Sequence, residues 1–365
     1  MIRKNYIVLL VLSSFFCSCS KEAGEGIDPN APVGLDARIA GVSLITRGGA
    51  AEAKEISSLG IYAVNKTSSE TTYGQAPAGT YCAYKITNGI ASPSVEGEPL
   101  WLCQEQAIIF SCHPAPTLPA DITSNGSADA LNPTVTIPKD AITLAQTDIT
   151  AVNGNVYDFA KPEYDYMYGV AYDANKSDAN KFLTTQPVAD NGRKTSGNTV
   201  INTSGPSVAI GLKHAFAQIK LVISKGDSYQ GDAKITKVEY SRNMKTLNSD
   251  GSTTMSLKDG ALVNTSAAAN ATYSFTFANQ GAATTAAGSS PVTLVNYVLP
   301  NDAASSTFTV KVDGKDMEMK HSTDPKWAAG AIYTYTLTIN GTGLALSGFT
   351  VVGWGDVSQP DIPNL

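Results

Sequence analysis

The sequence predicts an all-β fold, on three observations. Over most of its 365 residues the chain runs in short apolar alternations rich in Thr, Val, Ala, Ser and Tyr. Each is closed by Gly, Asn, Asp or Pro, the residues that punctuate strands. Long amphipathic helices, with apolar residues at 3.6-residue spacing, are missing. Many short strands at such intervals build sandwiches or barrels, not a parallel sheet covered by helices. No short-period repeat is evident, which argues against a solenoid or propeller.

The first element is a leader. Arg3 and Lys4 precede an apolar run from Tyr6 to Phe16, and Cys17-Ser18-Cys19-Ser20 follows. That is the layout of a bacterial secretory signal, and the run is shorter than the about 20 apolar residues that span a bilayer. A cysteine at its end suggests lipoprotein processing. Cys19, with small Ser18 before it, is the lipidation candidate, whereas Cys17 follows bulky Phe16. Three positions before Cys19, where a lipobox usually has an aliphatic residue, stands Phe16. Each buried methylene contributes about 0.8 kcal/mol, so two or three acyl chains would hold the protein on a membrane. A simple cleaved signal with unmodified cysteines is the plain alternative. Residues 1–18 are thus expected to be a signal peptide. Residues 19–34, in which Lys21 to Pro32 is mostly Gly, Glu, Asp and Pro, read as a flexible tether. Losing Arg3 and Lys4 takes the formal net charge from −6 to −8. Nucleic acid is therefore not an expected partner, because phosphate binding needs a clustered basic surface.

Beyond Leu35 the strand candidates follow in order. In the first half they are Val42 to Thr46, Leu59 to Val64, Tyr81 to Ile86, Pro99 to Cys103 and Ala107 to His113. The second half offers Ser207 to Leu212, Ala217 to Ser224, Ile235 to Tyr240, Tyr273 to Phe277, Thr293 to Leu299, Thr307 to Val312, Ile332 to Ile339 and Phe349 to Trp354. The polar stretch from Asp173 to Thr199 separates the halves, giving an expected N-terminal domain over 35–190 and a C-terminal one over 191–365. A second polar stretch, Asn279 to Pro291, reads as a loop inside the latter.

Chemistry-bearing residues are sparse. Cys82, Cys103 and Cys112 allow at most one intramolecular disulfide, and which pair would join is open. His113 neighbours Cys112, but adjacent strand residues point to opposite faces, so a Cys/His dyad there would be poorly placed. His214 sits at a strand with Lys213 and reads as a structural histidine; His321 reads as a solvated residue in a polar turn. No metalloprotease helix motif, nucleophile elbow or phosphate-cradling Gly loop occurs. The chain reads as a non-enzyme with no cofactor and no metal. Asp158, Glu163 and Asp165 stand among Tyr157, Tyr164, Tyr166 and Tyr168. Tyrosines beside carboxylates suit stacking on sugar, and equally suit the core and rim of a sandwich.

Several fragments resemble, in this order, the fimbrillin family of Bacteroidales. They are Leu59-Gly60-Ile61-Tyr62-Ala63-Val64, then Ala107 to Pro114, then Asp165 to Ala171, then Leu212-Lys213-His214-Ala215-Phe216 running on to Leu221, and Tyr297-Val298-Leu299-Pro300. The most telling is Lys326-Trp327-Ala328-Ala329-Gly330-Ala331-Ile332-Tyr333-Thr334-Tyr335-Thr336-Leu337, closing with Val351-Val352-Gly353-Trp354. Each also has a plain role in packing: Tyr333, Tyr335 and Leu337 alternate with threonines, one face to bury and one to solvate.

The resemblance implies two transthyretin-like β-sandwich domains in tandem and a structural subunit, stalk or tip, of a cell-surface fimbria with a role in adhesion. It implies localisation at the cell outer membrane through the lipid anchor, with other fimbrial subunits as partners and a host or bacterial surface glycan or protein as a further one. Subunits of this family are understood to join by strand exchange, after a cut behind an arginine that ends the first strand. Here Arg47, followed by Gly48 and Gly49, is the candidate maturation position, with Arg38 the weaker one; a plain strand end at a turn is the competing reading of Arg47. Donor-strand or core residues would be Leu344, Leu346, Phe349, Val351 and Trp354, with a register break at Ser347-Gly348. The tail after Trp354 is short and carries Pro360 and Pro363, which disfavour a ladder. A surface lipoprotein that binds glycan or host ligand without polymerising is the alternative.

Overall fold

A computed structural model describes residues 31–32, 34–39, 56–66, 73, 81–87, 90–94, 100–102, 105–116, 122–123, 132–177, 180–190, 193–196, 199–202, 207–278, 282–283 and 291–354. Among them the chain is all-β, with a turn of 3-10 helix at Pro162–Tyr164 and no α-helix. In chain order the strands of the three large sheets are β1 (Gly34–Ile39), β2 (Ser58–Asn65), β3 (Tyr81–Thr87), β4 (Ile90–Pro93) and β5 (Ala107–His113). Then come β6 (Ala145–Ile149), β7 (Val156–Asp158), β8 (Met167–Ala171) and β9 (Ser207–His214). The rest are β10 (Ala217–Lys225), β11 (Lys234–Met244), β12 (Ala269–Phe277), β13 (Val292–Val298), β14 (Ser306–Val312), β15 (Lys315–His321), β16 (Ala331–Asn340) and β17 (Gly343–Gly353).

The first sheet runs β1-β9-β8-β5-β2-β3-β4, with Val188–Ala189 added against β5. Its central strands are apolar on both faces. On β2, Leu59, Ile61 and Ala63 enter one core cluster while Tyr62 and Val64 enter another. That is the near-continuous apolar run expected of a strand covered on both sides. Gly60 is closed in by Cys112, Pro116 and Tyr81, so a side chain there would need a neighbour to give way.

The other two sheets are β6-β12-β11-β14-β15 and β7-β13-β10-β16-β17. Their strands show the period of two that one buried face demands. On β10 it is Ala217, Ile219, Leu221 and Ile223 that point inward; on β16, Tyr333, Tyr335, Leu337 and Ile339. Their side chains join one continuous core with Phe275, Val310 and Leu294. Strands β6 and β7, drawn from residues 145–158, pair in parallel with β12 and β13 and so occupy one edge of each sheet. At the opposite edges stand β15 and β17.

Most of the expected strands are present, several longer than predicted. Val42 to Thr46 lies outside the described residues. Of Pro99 to Cys103 the described part holds a strand at Trp101–Leu102, which pairs with Ala31–Pro32. The polar stretch 173–199 is structured in part: Arg193–Ser196 forms a hairpin with Thr199–Asn202. His321, expected in a solvated turn, instead ends strand β15. Its imidazole stands 3.3 Å from the buried Asp324, and its ring meets those of Tyr335 and Phe349 edge-on. Charged Lys315, Asp316, Glu318 and Lys320 disguised this strand; only its alternate Met317 and Met319 pack on the core.

Candidate functional site

Strands β1 and β17 are both edge strands, and β9 is where they come closest to sharing a neighbour: β1 pairs with it, and Trp354, just past β17, touches its end. Strand β1 lies parallel to β9 in unbroken register, from Gly34 opposite Ser207 to Ile39 opposite Leu212. The other side of β9 pairs with β8, and Val208, Ile210 and Leu212 are buried. Strand β9 is thus fixed in the sheet, and β1 covers what would otherwise be a row of unpaired N–H and C=O groups. Gly211 has no room for a side chain, because the ring of Phe182 lies where its Cβ would stand. Arg47, Gly48 and Cys19 lie outside the described residues.

At its far end β9 carries His214. The imidazole Nδ1 is 2.9 Å from the Asp165 carboxylate, both groups buried. Trp354, just past β17, stacks flat on this ring, centroids 4.0 Å apart and planes 4° from parallel, and leans on Tyr297. The Trp354 N–H donates to the Gly330 carbonyl. Burial pushes the Tyr297 hydroxyl well above its ordinary pKa, and the charge of Asp165 adds to that push. The last strand is therefore pinned at its end by an aromatic contact to β9, the strand that β1 borders.

Along its length β17 pairs antiparallel with β16, and the break expected at Ser347-Gly348 is a bulge. Thr336 faces Gly348 and Leu337 faces Leu346, leaving Ser347 extra. The extra residue keeps Phe349 on the same face as Leu344 and Leu346. Leu344 is buried, and Leu346, Phe349 and Trp354 are half-buried against the core, but Val351 is 46% exposed. Of the five residues singled out on this strand, four therefore touch the body of the protein.

Beneath β16 lies a buried charged network that the sequence reading missed. Arg242 on β11 and Asp324 are both fully buried and 2.7 Å apart. The guanidinium also donates to Asn301, Ser306 and the carbonyls of Ala303 and Pro325, and its plane lies 4.2 Å from the centre of the Trp327 ring. Tyr335 donates its hydroxyl to Asp324 and accepts from the Trp327 indole. Burial pulls the Arg242 pKa down and the Asp324 charge pulls it back. The available signal was phase: Arg242 continues the inward series Val238, Tyr240 and Met244.

The remaining chemical candidates resolve into structure. Cys112 is buried, and burial pushes its thiol up to about 12, so it carries no thiolate near neutrality. Cys82 and Cys112 sit on strands either side of β2 and enter different core clusters, so they do not pair with each other. Cys103 lies outside the described residues. Both ring nitrogens of His113 face backbone carbonyls, of Ser58 and Pro162. Tyr157 and Tyr166 turn their rings onto Phe277 and Phe216 in the core. Among the described residues no three of His, Cys, Asp and Glu gather as a metal site needs.

A family model described as fimbrillin-like matches residues 46–354. No curated protein matches the chain. Among solved structures, a candidate cell adhesion protein of Bacteroides ovatus shares the fold at a TM-score of 0.52 and 14% identity, over 89% of this chain and 98% of that one. A fimbrial protein of Bacteroides vulgatus matches at 0.43 and 13%, over 88% and 99%. The tip fimbrial protein Mfa3 of Porphyromonas gingivalis, solved with a C-terminal truncation, matches at 0.43 and 10%, over 89% and 100%.

Proposed function

This chain belongs to the fimbrillin-like family, and from that premise we propose that it is a lipid-anchored fimbrial subunit of the cell surface that accepts a neighbour's strand along β9. The observation that carries the reading is the place of β1. It is the edge strand of its sheet, it precedes Arg47, and it joins the sheet only through β9 among the described residues. A cut after Arg47, before the pliable Gly48-Gly49, would separate β1 from the rest of the chain. Its departure would open the edge of β9 to an extended segment of another subunit. Main-chain hydrogen bonds would supply affinity and alternate side chains register, as in strand addition elsewhere.

Export through the leader, lipidation at Cys19 and the division into two sandwiches belong to the same proposal. The C-terminal strand bears on the subunit's place. Leu344, Leu346, Phe349 and Trp354 are seated in their own fold, which suits a tip subunit that accepts a strand and donates none. A stalk subunit would instead release β17 to its neighbour.

The test is to incubate residues 20–365 with a trace of an Arg-specific protease, beside an Arg47→Ala control, and to image both by negative-stain electron microscopy. Cleanly cut single particles that take up a strand from another subunit support the tip reading; filaments in the wild type alone make the chain a stalk subunit. A protein left uncut at Arg47 overturns the maturation step. A second reading, glycan binding without polymerisation, is favoured by one feature. A shallow cleft of about 650 Å³ is lined by Lys176, Asn180, Phe182 and Thr185, an aromatic ring among amide, hydroxyl and ammonium groups. Saturable binding of a polysaccharide by the uncut monomer, lost on Phe182→Ala, would establish it.

A further inference from the structure

We infer that Phe182 is the specificity residue of the strand-accepting edge of β9, selecting an incoming strand that carries arginine opposite Gly211; the inference rests on strand acceptance there. Side chains alternate along β9. Val208, Ile210 and Leu212 enter the core on one face, which leaves Ala209, Gly211 and Lys213 on the other. Gly211 offers no side chain to that face, and the Phe182 ring fills the place its Cβ would take. The ring is held there by its own surroundings. Tyr172 meets it edge-on, centroids 5.2 Å apart. The Leu183 N–H donates to the Ala171 carbonyl on β8, and the Lys213 ammonium donates to the Leu183 carbonyl at 3.3 Å. Phe182 is only half-buried, so part of its ring is open to a further contact.

A strand paired with β9 sets each of its residues level with a partner and on that partner's face. The position opposite Gly211 is therefore set beside an aromatic ring. From Ser207 to Leu212 every other residue of β9 has a side chain of its own, so this is the one place where the neighbour is borrowed from elsewhere in the chain. In β1 that register is held by position 38, an arginine in the sequence. A guanidinium is flat and weakly hydrated and stacks on an aromatic face, which a compact ammonium does less well. The positions opposite Val208, Ile210 and Leu212 are Leu35, Ala37 and Ile39. Any strand of alternating apolar residues meets that requirement, so it separates one strand from another poorly. Discrimination needs a position that rewards one side chain over the rest, and the ring over Gly211 supplies it.

The experiment takes residues 20–365 cut after Arg47, with the protease then inhibited. It measures uptake of labelled peptides that copy Ala31 to Ala40 with Arg, Lys, Ala or Glu opposite Gly211. The wild type is expected to take up the Arg peptide about three- to tenfold more tightly than the Ala peptide, with the Lys peptide between them. Phe182→Leu keeps an apolar side chain over Gly211 but no ring, and should take up all four at one strength. Equal uptake of the Arg and Ala peptides by the wild type, a preference that survives in Phe182→Leu, or tighter uptake of the Glu peptide, drawn by Lys213, would each overturn the inference and leave strand acceptance standing. Uptake of no peptide by the wild type would instead overturn strand acceptance, and the inference with it. Should Phe182→Leu fail to fold, the order of the four peptides on the wild type still decides.

Discussion

Strands β1 and β17 are both edges, yet they are held by different means. Strand β1 is a six-residue strand in parallel register, which the sheet grips only through β9. Strand β17 is eleven residues long, continues the hairpin from β16, and is fixed by Leu344 in the core and by Trp354 stacked on His214. Parallel pairing is slightly weaker per residue than antiparallel, and a hairpin partner is close in sequence whereas β9 lies far along the chain from β1. The difference says which end is held more weakly. On the proposed maturation, a cut near position 47 would free β1 from the following chain, while β17 would keep its ladder, its bulge and its aromatic pin.

The comparison breaks most severely if the floor under β17 is removed. Arg242→Met strips the cation from Asp324 and leaves a carboxylate buried with no counter-charge, a change that costs about 3–5 kcal/mol. Tyr335 bridges from Asp324 to the Phe349 ring at 4.9 Å, so the loss should reach β17 directly. Urea unfolding should show the drop. Hydrogen exchange should place the lost protection in β16 and β17 before β5 and β2, and Arg242→Met/Asp324→Asn should recover much of it. Equal loss across all strands would mean that the network steadies the whole molecule and tells nothing of its two ends.

A milder change acts on the pin alone. Trp354 is half-buried, so Trp354→Ala is expected to cost about 2 kcal/mol, below the range of roughly 3–5 kcal/mol for a fully buried aromatic. Its distinctive readout is local: amides of Val351 to Gly353 should exchange faster while those of β9 opposite β1 keep their protection. If the β9 amides loosen too, the ends of the chain are coupled through His214, and release of one would favour release of the other.

Much of this architecture is legible in the sequence, because a strand with one buried face writes its period into the residues. Tyr333, Tyr335 and Leu337 against three threonines, or Ala217 to Ile223, could hardly be read otherwise. Three things were hidden. Strand β15 sets two half-buried methionines between charges and so looks like a turn. Arg242 carries a charge in a core position whose partner lies 82 residues away, and no local pattern announces a pair of that separation. Pairing order is the third: that residues 145–158 supply edge strands to sheets built from 217–353 follows from no periodicity, since edge strands are short and their hydrogen bonds are not side-chain properties. For the candidate site, the residues of β17 and the buried His214 were readable from position, whereas the stacking of Trp354 on His214 needed the fold.

The smallest expected effect concerns the bulge. The Ser347 hydroxyl hydrogen-bonds to Thr338 at 2.7 Å and to the Thr336 carbonyl at 3.2 Å, in an exposed position. Water replaces such bonds at little cost, so Ser347→Ala should change stability by about 0.5 kcal/mol or less. The bulge would then be maintained by residue count: with one residue extra, Phe349 reaches the core face that Leu346 also occupies, and the apolar side chains select this register without help from the hydroxyl. A loss above about 1 kcal/mol in urea unfolding would give the hydroxyl the larger part. The Ser347 hydrogen bonds, rather than the seating of Phe349 and Trp354, would then be what holds the second half of β17 in place.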